Sequence, residues 1–222
     1  MKRALVLSGG GSRGAYECGA WQALEEMNIR IDGVYGTSIG ALNAALVAQG
    51  SLDTAVKLWN SIRMNQIVEL DEDEDFNIDR MISRKRDVLP FLLENAKNLR
   101  MDISPLENLI AENIDEGRIR ASGMDFGVML TRFPQFSPLE VRLHDIPRGR
   151  LGDYLIASAS CFPVFPMKVI DGEKYTADEL SFYYYYSLNE FTSTYGDYLS
   201  YLGLDTSTSL KKQESLYGGT WD

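Results

Sequence analysis

Histidine is nearly missing from this chain: His144 is the only one in 222 residues. A Ser-His-Asp triad therefore has a single candidate base. That candidate stands in Arg142-Leu143-His144-Asp145, after an apolar run and ahead of Ile146-Pro147, the setting of a loop residue. Cysteine is almost as sparse. Cys18 and Cys161 form no Cys-x-x-Cys pair, so neither a disulfide framework nor a zinc site is expected, and both read as small buried apolar residues. No His, Cys and carboxylate set has ligand spacing, and neither metal nor cofactor is expected. Basic residues are in deficit, with 22 Lys plus Arg against 32 Asp plus Glu, a formal net charge of −10. That balance argues against a nucleic-acid partner and against electrostatic residence on an anionic membrane. It leaves neutral lipid or micellar surfaces open to transient contact. Long apolar runs are missing too. Ala4 to Leu7 stops at Ser8-Gly9-Gly10, too short for the core of a signal peptide, and no stretch has the length of a bilayer span. A cytoplasmic protein is the expectation.

What is present reads as α/β. Hydrophobic residues make up 45% of the chain, enough for a real core. Ala4 to Leu7 is a short apolar run stopped by glycines, the pattern of a buried parallel strand. Residues 15–27 turn helical, with Cys18, Trp21, Leu24 and Met27 on one stripe. Val34-Tyr35 is a second strand; residues 39–48 and 52–63 are helices, the latter with Ala55, Leu58, Trp59 and Ile62 as its apolar face. Strand, loop, helix, strand, turn, helix opens a three-layer α/β sandwich with a central, mostly parallel sheet. Further on, Ser104-Pro105-Leu106-Glu107 reads as a capping box. Residues 124–132 and 139–143 read as strands and 153–160 as a helix. Residues 165–170 and 173–175 flank Asp171-Gly172, a two-residue hairpin turn. The acidic run Asp71-Glu72-Asp73-Glu74-Asp75 reads as a solvated loop. One domain over residues 1–180 is expected, then a Tyr-, Ser- and Thr-rich segment, 181–222, without periodicity.

Gly36-Thr37-Ser38-Ile39-Gly40 carries the strongest chemical signal, because it lies between a strand and an Ala-rich helix. This is the G-x-S-x-G nucleophile elbow in its required context. A strand reversing sharply into a helix strains the serine's backbone, and bulky neighbours two positions away would clash. The hydroxyl then stands at the helix N-terminus, where the dipole favours developing negative charge. Gly9-Gly10-Gly11-Ser12-Arg13-Gly14 follows the first strand and can turn backbone N–H groups into one concavity suited to an oxyanion. Arg13 can hold that loop or add positive potential. A rival reading takes Gly9, Gly11 and Gly14 as G-x-G-x-x-G of a dinucleotide site with Asp32 as the ribose-binding acid. It leaves the serine elbow unexplained.

Gly9 to Gly14, followed by Gly36-Thr37-Ser38-Ile39-Gly40-Ala41-Leu42-Asn43-Ala44, resembles the patatin-like phospholipase family. The block Ala157-Ser158-Ala159-Ser160-Cys161-Phe162-Pro163-Val164-Phe165-Pro166 resembles the stretch ahead of that family's catalytic acid. The resemblance implies a lipid acyl-ester hydrolase with a Ser–Asp dyad and no histidine or metal. Ser38 is then the nucleophile, and the loop of Gly9, Gly10, Gly11 and Arg13 is the oxyanion hole. Family members carry the acid in Asp-Gly-Gly or Asp-Gly-Ala after the hairpin. Here the chain reads Thr176-Ala177-Asp178-Glu179, so Asp178 is the expected acid, with Asp171 the lesser candidate. A catalytically impaired relative acting as a binding protein is the alternative that this departure raises.

Overall fold

Alternating short apolar runs and Ala-rich helical segments can bury their faces only by layering. The computed structural model describes residues 2–67, 102–135, 137–161 and 165–177. The expected boundary at residue 180, the segment 181–222, the acidic run 71–75 and Asp178 lie outside the described residues. The strands are β1 (Ala4–Leu7), β2 (Gly33–Thr37), β3 (Asp125–Phe133), β4 (Ser137–Arg142), β5 (Lys168–Ile170) and β6 (Glu173–Thr176). The helices are α1 (Gly14–Glu26), α2 (Ile39–Gln49), α3 (Leu52–Ser61), α4 (Ser104–Asn113), α5 (Glu116–Ala121) and α6 (Leu151–Ala159).

The sheet runs β1-β2-β3-β6-β5, with β4 on β3. β1, β2 and β3 are mutually parallel, while β4 and β6 both run antiparallel to β3. This is the expected α/β architecture, with a parallel half that carries the glycine motifs and an antiparallel half made of hairpins. Because the order 1-2-3 advances in one direction, right-handed crossovers put α1 and α2 on the same face. On that face Val34, Phe126, Val128 and Leu130 are fully or almost fully buried beneath Ala41, Ala44, Ala45 and Ala48 of α2. Nine of the eleven α2 residues are buried, so α2 is a central helix rather than an amphipathic one, and its small residues allow close approach from several sides. On the opposite face Val6 is 76% exposed, and Tyr35 donates to Asp125 at 2.6 Å beneath the Arg142 guanidinium. Among the described residues no helix is long and apolar enough to cross a membrane.

Two local expectations change. Ser104 is not an N-cap; it is the first helical residue of α4. Asp102 accepts both the Ser104 amide at 2.8 Å and its hydroxyl at 2.5 Å. A carboxylate two residues upstream is the stronger acceptor, so it holds the first amide of the helix and turns the serine into a donor. Met27 also leaves the buried stripe of α1: it is the C-cap residue and is 60% exposed, whereas Cys18 and Trp21 are buried as expected. The Asp171-Gly172 turn holds, with φ of 51° and 86° at the two positions, the left-handed pair that a two-residue hairpin requires.

Candidate active site

The elbow is built by what its glycines leave out. A Cβ on Gly36 would run into the backbone of Gly40 and Ala41, and one on Gly40 into the carbonyls of Leu7 and Ser8. The start of α2 therefore presses on both its own strand and the end of β1. Between the two glycines Ser38 takes φ 52° and ψ −126° as the N-cap of α2, a conformation costly for any residue with a Cβ. Its side chain makes no cap hydrogen bond. Its amide donates to Ser158 Oγ at 2.9 Å, and Ser158 Oγ donates to Met129 O at 2.7 Å. One hydroxyl of α6 thus joins the elbow to β3.

The glycine loop reaches the same point from β1. Gly10 (φ 138°) and Gly11 (φ 58°) both occupy positive φ. Nothing lies within 4 Å of where a Gly11 Cβ would stand, so conformation rather than crowding calls for glycine there. Arg13 closes the turn: its amide donates to Gly10 O at 3.2 Å, and a Cβ on Gly10 would lie 3.2 Å from Arg13 Cδ. The arginine stem therefore folds back over the loop. A Cβ on Gly14, where α1 begins, would strike Ile39 and Trp59, so the far end of the loop also seats on α2 and α3.

Asn43 of α2 completes this contact. It is 3% exposed, donates from Nδ2 to Gly14 O and to Glu17 Oε2, both at 2.9 Å, and accepts Trp59 Nε1 at 3.0 Å. Burial pushes the Glu17 carboxyl above its ordinary range, against hydrogen bonds from Asn43 and from the Ser8 backbone.

The strand after the hairpin arrives from the other direction. β6 pairs Thr176 with Thr131, while β2 pairs Thr37 with Met129. Ala177 is buried, and its amide donates to Ser160 O at 2.9 Å. Ser158 and Ser160 thus tie the elbow and the end of β6 to the same end of α6. Asp178, the next residue, lies outside the described residues.

Other sequence candidates fall elsewhere. Asp171 sits in its exposed turn, 3.5 Å from Arg150 Nη1. His144 has a 73% exposed side chain against Asp145, beyond the end of β4 that pairs with the start of β3. Asp32 caps the opening of β2, accepting the Arg3 amide at 2.9 Å. The glycine loop follows the C-terminal end of β1, and β1 is parallel to β2, so Asp32 and the loop lie at opposite ends of the sheet. A ribose-binding acid belongs at the carboxyl end, which removes the dinucleotide reading. Ser158, Asn43 and Glu17 had no role assigned from sequence.

The patatin-like phospholipase model matches residues 5–183. Lysophospholipase nte1 of Aspergillus terreus is 58% identical over 45 residues, 20% of this chain and 3% of that protein. Patatin-like phospholipase domain-containing protein 6 of Homo sapiens is 52% identical over 46 residues, 21% of this chain and 3% of that protein. These alignments span a few per cent of the relatives' length. In fold, the chain is similar to the crystal structure of VipD from Legionella pneumophila, with a TM-score of 0.54 and 16% identity over 80% of this chain and 46% of that one.

Proposed function

This chain belongs to the patatin-like phospholipase family, and from that premise we propose that it hydrolyses the acyl ester bond of a lipid, with Ser38 as nucleophile and Asp178 as base. Ser38 Oγ attacks the ester carbonyl carbon while Asp178 takes its proton. The carbonyl oxygen becomes an oxyanion and is held by backbone N–H groups of Gly9, Gly10 and Gly11, with Arg13 adding positive potential. Collapse of the adduct expels the alcohol, which takes the proton back from Asp178 and leaves an acyl-enzyme on Ser38. Water, deprotonated by Asp178, then releases the fatty acid and restores the serine.

The observation that carries this reading is the backbone of Ser38: positive φ at the N-terminus of α2, between two glycines that allow no Cβ, with Gly40 pressed against the start of the glycine loop. The hydrogen bond of Ala177 to Ser160 supports Asp178 as the partner, since Ser158, two residues away, holds the Ser38 amide.

A fluorophosphonate probe tests it, because the probe needs only an activated serine. It labels the protein once, at Ser38, and Ser38→Ala loses both labelling and hydrolysis of p-nitrophenyl esters. A second reading, a lipid-binding relative without turnover, is favoured by one observation: Glu179 rather than glycine follows Asp178. A folded wild-type protein that resists the probe would favour that alternative.

A further inference from the structure

Six residues, Ser8 to Arg13, join β1 to α1; three of them are glycine, and a fourth glycine, Gly14, opens the helix. Such a segment has many conformations to lose, and catalysis needs one of them. Both of its ends meet the same pair of side chains. At the start, the Ser8 amide faces the Glu17 carboxylate and favours its ionised form. At the finish, Asn43 Nδ2 donates to Gly14 O at 2.9 Å, and its other hydrogen goes to Glu17 Oε2, also at 2.9 Å. Trp59 Nε1 donates to Asn43 Oδ1 at 3.0 Å and so sets which way round the amide lies. Asn43 sits on α2, five residues beyond Ser38.

On the hydrolase reading above, we infer that Asn43 and Glu17 are positioning residues: together they clamp both ends of the glycine loop to the helix that bears Ser38, and so set the distance between nucleophile and oxyanion donors. Neither touches the reacting atoms. The arrangement is closed, because Asn43 uses both amide hydrogens, on two residues of α1, and its oxygen, on Trp59 of α3. Glycine at 40 and at 14 permits the same approach sterically, at the Leu7–Ser8 carbonyls and at Ile39. The clamp supplies the polar half of the contact.

Asn43→Asp and Glu17→Gln test the inference. Aspartate keeps the acceptor for Trp59 but loses both donors and faces the Glu17 carboxylate. Glutamine keeps the shape of Glu17 but removes the charge that Asn43 Nδ2 and the Ser8 amide face. Each variant is compared with wild type by the rate of fluorophosphonate labelling, by kcat and KM on p-nitrophenyl butyrate, and by thermal melting. Each is expected to lose between about 10- and 100-fold in labelling rate and kcat, the scale of a displaced catalytic group, with KM little changed. Glu17→Gln is expected to melt no lower than wild type, which separates a positioning role from a structural one. If Asn43→Asp does not fold, Glu17→Gln decides alone. Folded variants whose kcat and labelling stay within about twofold of wild type overturn the clamp and leave the hydrolase reading intact. A wild-type protein unlabelled at Ser38 overturns both.

Discussion

Thr37 and Thr176 end two strands that approach each other head-on along one edge of β3. Thr37 pairs with Met129 and Thr176 with Thr131, while β4 occupies the other edge from Gly127 to Arg132. β2 runs parallel to β3 and β6 antiparallel, so each chain leaves its strand toward Leu130. Ser38 follows Thr37 and Ala177 follows Thr176. The gap left between two strand ends is where a catalytic pair from distant parts of the sequence can meet.

That convergence sets the first prediction. Asp178→Asn is expected to lower esterase activity by about 10²–10⁴-fold, the usual worth of a general base, while Asp171→Asn leaves it near wild type. Asp171 is a turn residue paired with Arg150, five positions before the strand ends. Kinetics on p-nitrophenyl butyrate, with circular dichroism to verify folding, decide between them. Equal losses in the two variants would remove Asp178 from the mechanism.

The second prediction concerns Ser158. Its hydroxyl takes the Ser38 amide and gives its hydrogen to Met129 O, and the residue is fully buried. Ser158→Ala strands one buried N–H and one half-buried C=O, so a loss of about 1–3 kcal/mol in urea unfolding is expected, along with slower labelling at Ser38. Unchanged stability would mean that water or a shifted backbone replaces the hydroxyl.

Much of this site was legible in sequence, and the reason is local. A strained serine between crowded glycines and a loop at positive φ demand glycine at fixed spacings, so Gly36, Gly40, Gly10 and Gly11 advertise their geometry in the chain itself. The Asp171-Gly172 turn is readable for the same reason. What was hidden is non-local. Asn43 looks like one polar residue in an Ala-rich helix, and Ser158 like a small residue among alanines. Their partners lie 16 or more positions away, and only the packing of α1, α2, α3 and α6 brings them together. Helix α5 was missed because its N-cap, Asp115, which accepts the Arg118 amide, is followed by too short an apolar pattern.

Two glycine substitutions separate crowding from conformation. Gly11→Ala meets no atom within 4 Å but must hold φ 58°, so it should fold with a loss of about 1–2 kcal/mol. Gly40→Ala drives a Cβ into the Leu7 and Ser8 carbonyls, backbone groups that cannot turn aside. It should yield little folded protein, or melt far below Gly11→Ala. Similar melting temperatures for the two would show that β1 and α2 can separate.

The last prediction uses acid stability, where two glutamates have opposite signs. Glu116 accepts Arg120 Nε at 2.7 Å and the Gly149 amide at 3.0 Å with Oε1, and the Leu151 amide, at the start of α6, at 3.1 Å with Oε2. Burial opposes its ionisation, but these hydrogen bonds prevail and hold the carboxyl below its ordinary value of 4.5. A carboxyl depressed in the folded state binds its proton more readily when unfolded. Its stabilisation is therefore complete above about pH 4.5 and is lost as pH falls through the lower folded value. Glu116→Gln should thus lower stability at neutral pH by about 1.5–3 kcal/mol, the scale of a hydrogen bond to a charged group, and flatten the acid limb of melting temperature against pH. Glu17 runs the other way. Burial raises its carboxyl above 4.5, so ionising it weakens the fold as pH climbs through the raised value, and Glu17→Gln should remove that decline. Melting curves of both variants from pH 3 to pH 8 read the two effects independently, since Glu116 acts at the start of α6 and Glu17 on α1. An acid limb unchanged in Glu116→Gln would show that another carboxylate governs acid unfolding. If Glu116→Gln does flatten it, the helix that carries Ser158 and Ser160 is held at its opposite end by this one ionised side chain.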